Sequence, residues 1–153
     1  MIRLAEKADL ADVAGLCLRS KGHWGYDAAF LDACRDELSP QQSDLGPGFV
    51  VWQGSTGLEA MAQVSIDGDM AELDALFVAP EAIGKGLGRL LFNWAGAFAA
   101  GQGARVMRIT ADPYAAPFYQ RMGATMIGEE PSGSIAGRKL PVYEAPVSPQ
   151  PEM

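Results

Sequence analysis

The stretch Ala71 to Phe98, AELDALFVAPEAIGKGLGRLLFNWAGAF, limits the fold more than any other part of the chain. Glu72 to Val78 is apolar, aromatic and β-branched enough to predict a strand, and Pro80 closes it. Gly84, Gly86 and Gly88 follow at alternate positions. A helix comes next, with Leu87, Leu90, Leu91, Trp94 and Phe98 at helical spacing. No Ser, Thr, Asp or Asn stands at its natural N-cap, so its first amide groups lack a side-chain acceptor and face whatever occupies the loop. An anion fits there, and glycines without Cβ let the backbone approach it closely. A diphosphate has the right size and charge.

Strand, glycine loop and helix serve several diphosphate binders, and the spacing discriminates among them. A P-loop needs GxxxxGK and then Ser or Thr, whereas here Lys85 lies among the glycines and Leu87 follows Gly86. A Rossmann fingerprint needs GxGxxG, and residues 84–88 read GxGxG. Asp112 stands near the end of the next predicted strand, where a ribose-binding acid would be found. That unit normally opens its fold, however, and here some seventy residues precede it.

The run Leu76-Phe77-Val78-Ala79-Pro80 followed by Gly84-Lys85-Gly86-Leu87-Gly88-Arg89-Leu90-Leu91 resembles the acyl-CoA-binding motif of the GNAT superfamily of N-acyltransferases. Downstream, Asp112-Pro113-Tyr114-Ala115-Ala116-Pro117-Phe118-Tyr119-Gln120-Arg121-Met122-Gly123-Ala124 is similar to the family's N-x-x-A-x-x-F-Y-x-x-x-G-F. The resemblance covers residues 72–124. Three departures stand out: Ile83 replaces a Gln or Arg that braces the loop, Asp112 replaces Asn, and Ala124 replaces an aromatic residue.

The resemblance implies an α/β (α+β) fold with a mixed, mostly antiparallel sheet, splayed in the middle and flanked by about four helices, with acyl-CoA in the gap. It implies acetyl-CoA as co-substrate and direct transfer to a primary amine in a ternary complex. It places the backbone of Phe77 and Val78 against the pantetheine and thioester. The amides of Gly84, Lys85, Gly86, Leu87, Gly88 and Arg89, with the Lys85 or Arg89 side chain, would take the diphosphate. Tyr119 matches the tyrosine that protonates the departing thiolate.

Other assignments come from the residues themselves. Glu72 and Asp74 alternate on one strand, so both carboxylates face one side and are candidates for the base. A close pair of acids also tends to raise the pKa of one member. His23, Trp24 and Tyr26 gather between the first two predicted helices, where an aromatic wall would suit an ammonium-bearing acceptor. Arg138 and Lys139, in a late loop, could instead meet an acceptor carboxylate or be exposed. An acyl-CoA-binding regulatory module without catalysis is the first alternative, and a dinucleotide-binding oxidoreductase the second.

At 153 residues and 48% apolar, the chain suits one core, expected over residues 1–146, with 147–153 a disordered tail rich in proline. A net charge of −7 with no cationic cluster argues against nucleic acid. No stretch approaches the ~20 apolar residues of a membrane span, so a cytoplasmic protein is expected. One histidine and two distant cysteines give no metal-ligand spacing. Cys17 and Cys34 read as reduced, packed thiols, neither placed as a nucleophile. An exposed strand edge could support a homodimer.

The expected order is β, α, α, β, β, β, α, β, α, β, β. Asp9 is expected to cap a first helix ending near Arg19, and Asp27 a second that stops at Ser39-Pro40. The last strand, Leu140 to Ala145, is expected near an edge because Pro141 cannot donate to a ladder.

Overall fold

The computed structural model describes residues 1–147. They form one seven-stranded sheet made of β1 (Ile2–Leu4), β2 (Phe49–Gln53), β3 (Leu58–Asp67), β4 (Met70–Val78), β5 (Val106–Thr110), β6 (Thr125–Pro131) and β7 (Lys139–Pro146). Four helices accompany it: α1 (Leu10–Gly22), α2 (Ala28–Leu38), α3 (Leu87–Gly101) and α4 (Ala116–Arg121). The element order is the expected one. In space the strands run β1-β2-β3-β4-β5-β7-β6, and every neighbouring pair is antiparallel except β4 and β5.

Strands β2 and β3 read as nearly continuous apolar runs because both faces of the sheet are covered there. Phe49, Val50 and Val51 are all buried, as are Ala60, Met61 and Ala62. Helix α1 contributes Val13, Leu16 and Cys17 to that half of the core. Helix α3 ties the two halves together. Leu87 and Leu91 pack with β2 and β3, while Phe92, Ala95 and Ala99 pack with Met107, Ile109 and Tyr143. Leu91 is fully buried, and burying such a side chain contributes about 1.5–3 kcal/mol.

The sheet opens between β4 and β5. Their parallel pairing covers Met70↔Val106, Ala71↔Met107 and Glu72↔Arg108 and then stops, although β4 continues to Val78. At that point β4 carries a bulge. Gln63 pairs with Ala75 and Val64 with Leu73, which leaves Asp74 as the extra residue. A bulge bends its strand, so β4 leaves β5 here and a gap opens beyond Glu72.

Several local expectations are corrected. Helix α1 continues to Gly22, beyond Arg19, because nothing before Gly25 (φ 95°) breaks it. Asp9 makes no side-chain cap on α1. Its carboxylate accepts from the Glu6 N–H at 2.7 Å and takes Arg3 in a two-point contact at 2.8 and 2.9 Å, which ties β1 to the helix entry. Asp27 does cap α2, accepting from the Phe30 N–H at 2.8 Å.

Strand β7 is interior, between β5 and β6, and β6 is the edge. Pro141 is tolerated because its backbone faces the end of β5. Its carbonyl accepts from Ala111, one residue past that strand, so the missing N–H breaks no rung. Pro146 ends β7 as expected within the domain, and Val147, expected in the tail, is tied to the sheet, its N–H donating to the Arg105 carbonyl at 3.0 Å. The remainder of the expected tail, residues 148–153, lies outside the described residues. Among the described residues no helix is long and apolar enough to cross a membrane.

Candidate active site

The gap between β4 and β5 is the mouth of a cleft of about 850 Å³. One wall is the glycine loop and the start of α3. Gly84 (φ 93°) and Gly86 (φ 80°) hold left-handed conformations that side chains resist. The first main-chain donor after Ile83 with a main-chain partner is Leu90, which donates to Gly86 at 3.1 Å. Among the described residues, the N–H groups of residues 84–89 are therefore unpaired, and α3 has no side-chain cap. Gly88 serves packing: a Cβ there would meet the Phe118 ring at 3.1 Å.

The side chains of the loop divide. Arg89 lines the cleft, but Lys85 does not, because its Nζ pairs with Glu59 of β3 at 2.8 Å. The loop thus offers one guanidinium and a set of amides to an anion. Leu87 is buried in the core and also touches the cleft. Ile83 lines it too and is 53% exposed.

Strand β4 forms the floor. The Ala79 N–H donates to Glu59 on β3, and with Phe77 opposite Met61 and Ala75 opposite Gln63 the alternation turns the main chain of 75, 77 and 79 toward β3. The main-chain groups of Leu76 and Val78 therefore face the gap, where β5 no longer pairs. Of the two expected backbone contacts, the main chain of Val78 faces the gap while that of Phe77 faces β3, so Leu76 offers the second set of main-chain groups, although Phe77 also lines the cleft. The bulge at Asp74 sets this parity, and no local sequence signal marks it.

The expected acid pair also separates. Asp74 lines the cleft, whereas Glu72 still pairs with Arg108 in the closed part of the sheet and does not line it. Burial, with Asp44 nearby, raises the Asp74 pKa, and a hydrogen bond from Ser65 partly offsets this. The Glu72 pKa is raised by burial and by Asp74 and Glu130, against Arg108.

Tyr119 stands across the cleft from β4, on α4. It is 6% exposed, packed among Phe92, Phe118 and Tyr143 with ring centroids 5.1–6.4 Å away. Among the described residues its hydroxyl has no hydrogen-bond partner, yet it is not sealed from the cleft. Burial raises its pKa, so the phenol keeps its proton.

At the other end of the cleft stand His23 and Trp24, the latter stacked on Tyr114 at 5.6 Å. Tyr26, expected beside them, is turned away. Its hydroxyl bonds both oxygens of Asp112 at 3.0 and 3.1 Å, and Arg138 donates to it. Asp112 also accepts from the Tyr114 N–H at 2.9 Å and pairs with Lys21 at 3.0 Å. Burial opposes ionisation of Asp112, but the Tyr114 amide and Lys21 hold its carboxyl below the ordinary value. Arg138 is thus part of a half-buried cluster, and Lys139 is exposed.

Cys17 and Cys34 are free and buried, and both touch the cleft wall. Burial pushes the Cys17 thiol up to about 12, which makes it a poor nucleophile. Cys34 lies 3.4 Å from the Ser134 hydroxyl.

A mixed sheet that opens beside a capless, glycine-fronted helix defines an acyl-CoA type of cleft: unpaired amides and Arg89 suit a diphosphate, and the open edge of β4 suits an extended chain. The pattern of the acetyltransferase (GNAT) domain matches residues 46–123, and the chain belongs to that family. Many solved structures share its fold. PaiA N-acetyltransferase of Thermoplasma acidophilum, in complex with coenzyme A, is 20% identical with a TM-score of 0.75, over 95% of this chain and 98% of that one. The ribosomal-protein-S18-alanine N-acetyltransferase of Escherichia coli is 18% identical with a TM-score of 0.67, over 99% and 96%. An aminoglycoside 6'-N-acetyltransferase complexed with coenzyme A is 15% identical with a TM-score of 0.70, over 99% of each chain. No curated protein sequence is significantly similar to the chain.

Proposed function

We propose that residues 1–146 act as one N-acetyltransferase domain that moves an acetyl group from acetyl-CoA to a primary amine within a ternary complex. The observation that carries this reading is the juxtaposition, in one cleft, of amides at 84–89 and a protonated Tyr119 hydroxyl that have no partner among the described residues.

Acetyl-CoA supplies an acyl group already activated as a thioester. The amides of residues 84–89, with Arg89, bind the diphosphate at the positive end of α3. The main chain of Val78 and Leu76 orients the pantetheine arm and the acyl carbonyl along the open edge of β4. The Lys85 side chain stays with Glu59, so Lys85 contributes its amide alone.

Attack by the amine nitrogen on the acyl carbon forms the C–N bond, and the C–S bond breaks. The proton lost by the amine goes to Asp74, directly or through water, and Tyr119 gives its proton to the departing sulfur. A raised pKa brings Asp74 nearer to working pH as a base, and a raised pKa keeps Tyr119 an acid. Glu72 stays in the closed part of the sheet, where the charge of Asp74 adds to burial in raising its pKa. His23 and Trp24 form the acceptor wall, and Tyr26 holds that wall in place through Asp112.

Thermal unfolding with CoA, acetyl-CoA and NAD tests the donor site. A ligand at a hundred times its dissociation constant stabilises by about 2.7 kcal/mol, so acetyl-CoA should raise the melting temperature clearly and NAD should not. A rise with NAD alone, or none with either CoA species, would sink the proposal.

A further inference from the structure

The cleft carries more carboxylate than the transfer reaction uses. Four acids line it: Glu37 near the end of α2, Asp44 in the short turn that follows, Asp74 at the bulge of β4, and Asp112. Asp112 is matched by Lys21 at 3.0 Å. The other three have no ion-pair partner among the described residues, and neither arginine of the cleft, Arg89 or Arg121, reaches them. Hydrogen bonds satisfy them only in part. One oxygen of Asp44 accepts from the Gln41 N–H at 2.7 Å, Asp74 takes a bond from Ser65, and Glu37 accepts none among the described residues.

A second cavity, of about 390 Å³, adjoins the cleft at these acids, and Asp44, Gln63 and Asp74 line both. Asp44 and Asp74 are the only charged residues of its described lining, so it holds a negative field with no cation to offset it. The charge of Asp44 accordingly adds to burial in raising the Asp74 pKa. Leu38 and Pro40, between Glu37 and Asp44 in the chain, also line the cleft, so apolar surface accompanies the carboxylates.

Tyr119 marks the reacting end of the same cleft: it is 6% exposed, and its hydroxyl has no partner among the described residues. An amine must be neutral to attack a thioester, and the proton it loses cancels the charge of Asp74. Glu37 and Asp44 stay charged. Filling the cleft with acetyl-CoA and acceptor strips water from them and lowers the local dielectric, which raises the cost of leaving them unmatched. A second ammonium, joined to the reacting amine by an aliphatic chain, matches both the charge and the apolar lining.

We infer that the acceptor is an aliphatic diamine, with one amine reacting beside Asp74 and Tyr119 and the other held as ammonium by Glu37 and Asp44. This inference rests on the acetyl-transfer reading above and gives it a substrate class. Glu37 and Asp44 are then determinants of specificity, acting on the second charge and not on the transferred acetyl group.

The test compares α,ω-diaminoalkanes of three to eight carbons with amino alcohols of the same length, using thiol release from acetyl-CoA by the full chain. An amino alcohol keeps the reacting amine and the chain and lacks the second charge. At least one diamine should show kcat/KM about tenfold or more above its amino alcohol, beyond the twofold expected from having two amines. The preference should fall with rising salt. In Glu37→Gln, and again in Asp44→Asn, the ratio of diamine to amino alcohol should drop about fivefold. The new amide oxygen can still accept from the Gln41 N–H in Asp44→Asn, and retained stabilisation by acetyl-CoA shows that the fold and donor site survive. The wild-type comparison stands even if neither variant folds.

Amino alcohols used as well as diamines would overturn the inference. So would variants that slow both acceptors equally. An oligolysine peptide acetylated where no diamine is would assign the acids to a peptide acceptor and refute the diamine. If no amine is acetylated while acetyl-CoA still stabilises the chain, the acceptor inference fails and the donor site stands. Failure of acetyl-CoA to bind removes both.

Discussion

Replacing Tyr119 by Phe removes one oxygen and leaves the ring contacts with Phe92, Phe118 and Tyr143 in place. Because the hydroxyl has no protein partner among the described residues, no acceptor is orphaned, and folding stability should change by less than ~1 kcal/mol. Loss of a positioned general acid is worth about 10²–10⁴ in rate. Even the lower figure is about 2.7 kcal/mol on the barrier, several times the expected change in stability. Single-turnover thiol release should therefore fall at least a hundredfold, while the Kd for acetyl-CoA stays within about threefold. The pH profile gives a second check. Burial raises the phenol above the ordinary value of about 10, so wild-type turnover should show no descending limb from this group below about pH 10. A variant that keeps its rate within threefold, or that loses its affinity for acetyl-CoA tenfold, would refute the assignment.

Further outcomes follow from the charges. Arg89→Met should weaken CoA about tenfold because that guanidinium lines the cleft. Lys85→Met should change it by less than about threefold, since Lys85 is held by Glu59 and an exposed pair is worth about 0–1 kcal/mol; isothermal titration separates the two. Arg3→Met should destabilise the fold by about 1.5–3 kcal/mol at neutral pH by breaking its two-point contact with Asp9. The hydrogen bond from Arg3 lowers the Asp9 pKa, so the stability from this pair is full above the ordinary carboxylate value of about 4 and is lost as pH falls through the depressed one. Acid unfolding followed by circular dichroism should accordingly begin at a higher pH in the variant.

The element order, the glycine loop and the helix after it were legible because each rests on local chemistry. Alternate glycines, the missing N-cap and the spacing from Leu87 to Phe98 constrain the chain within a few residues of themselves. The place of Tyr119 beside the cleft was legible through its surrounding motif, and the Asp27 cap through its position before an apolar helical face. The side chains of Lys85 and Tyr26 lie outside the cleft for one reason. Their partners, Glu59 for the first and Asp112 with Arg138 for the second, lie 26, 86 and 112 residues away in sequence, and side-chain pairing at that range leaves no local pattern.

The acid pair and the edge strand show the same boundary. Alternation on an ideal strand puts Glu72 and Asp74 side by side, but whether both face a cleft depends on where β4 parts from β5, and that is set by the bulge at Asp74 against β3. Pro141 forbids one hydrogen bond, and only the length of β5 decides that none was needed there. Local sequence determined which backbone groups would be free to hold an anion, because conformational freedom and capping are properties of neighbouring residues. Which side chains meet across the cleft was decided by the sheet's register, since one residue of shift in a strand turns every group to the opposite side.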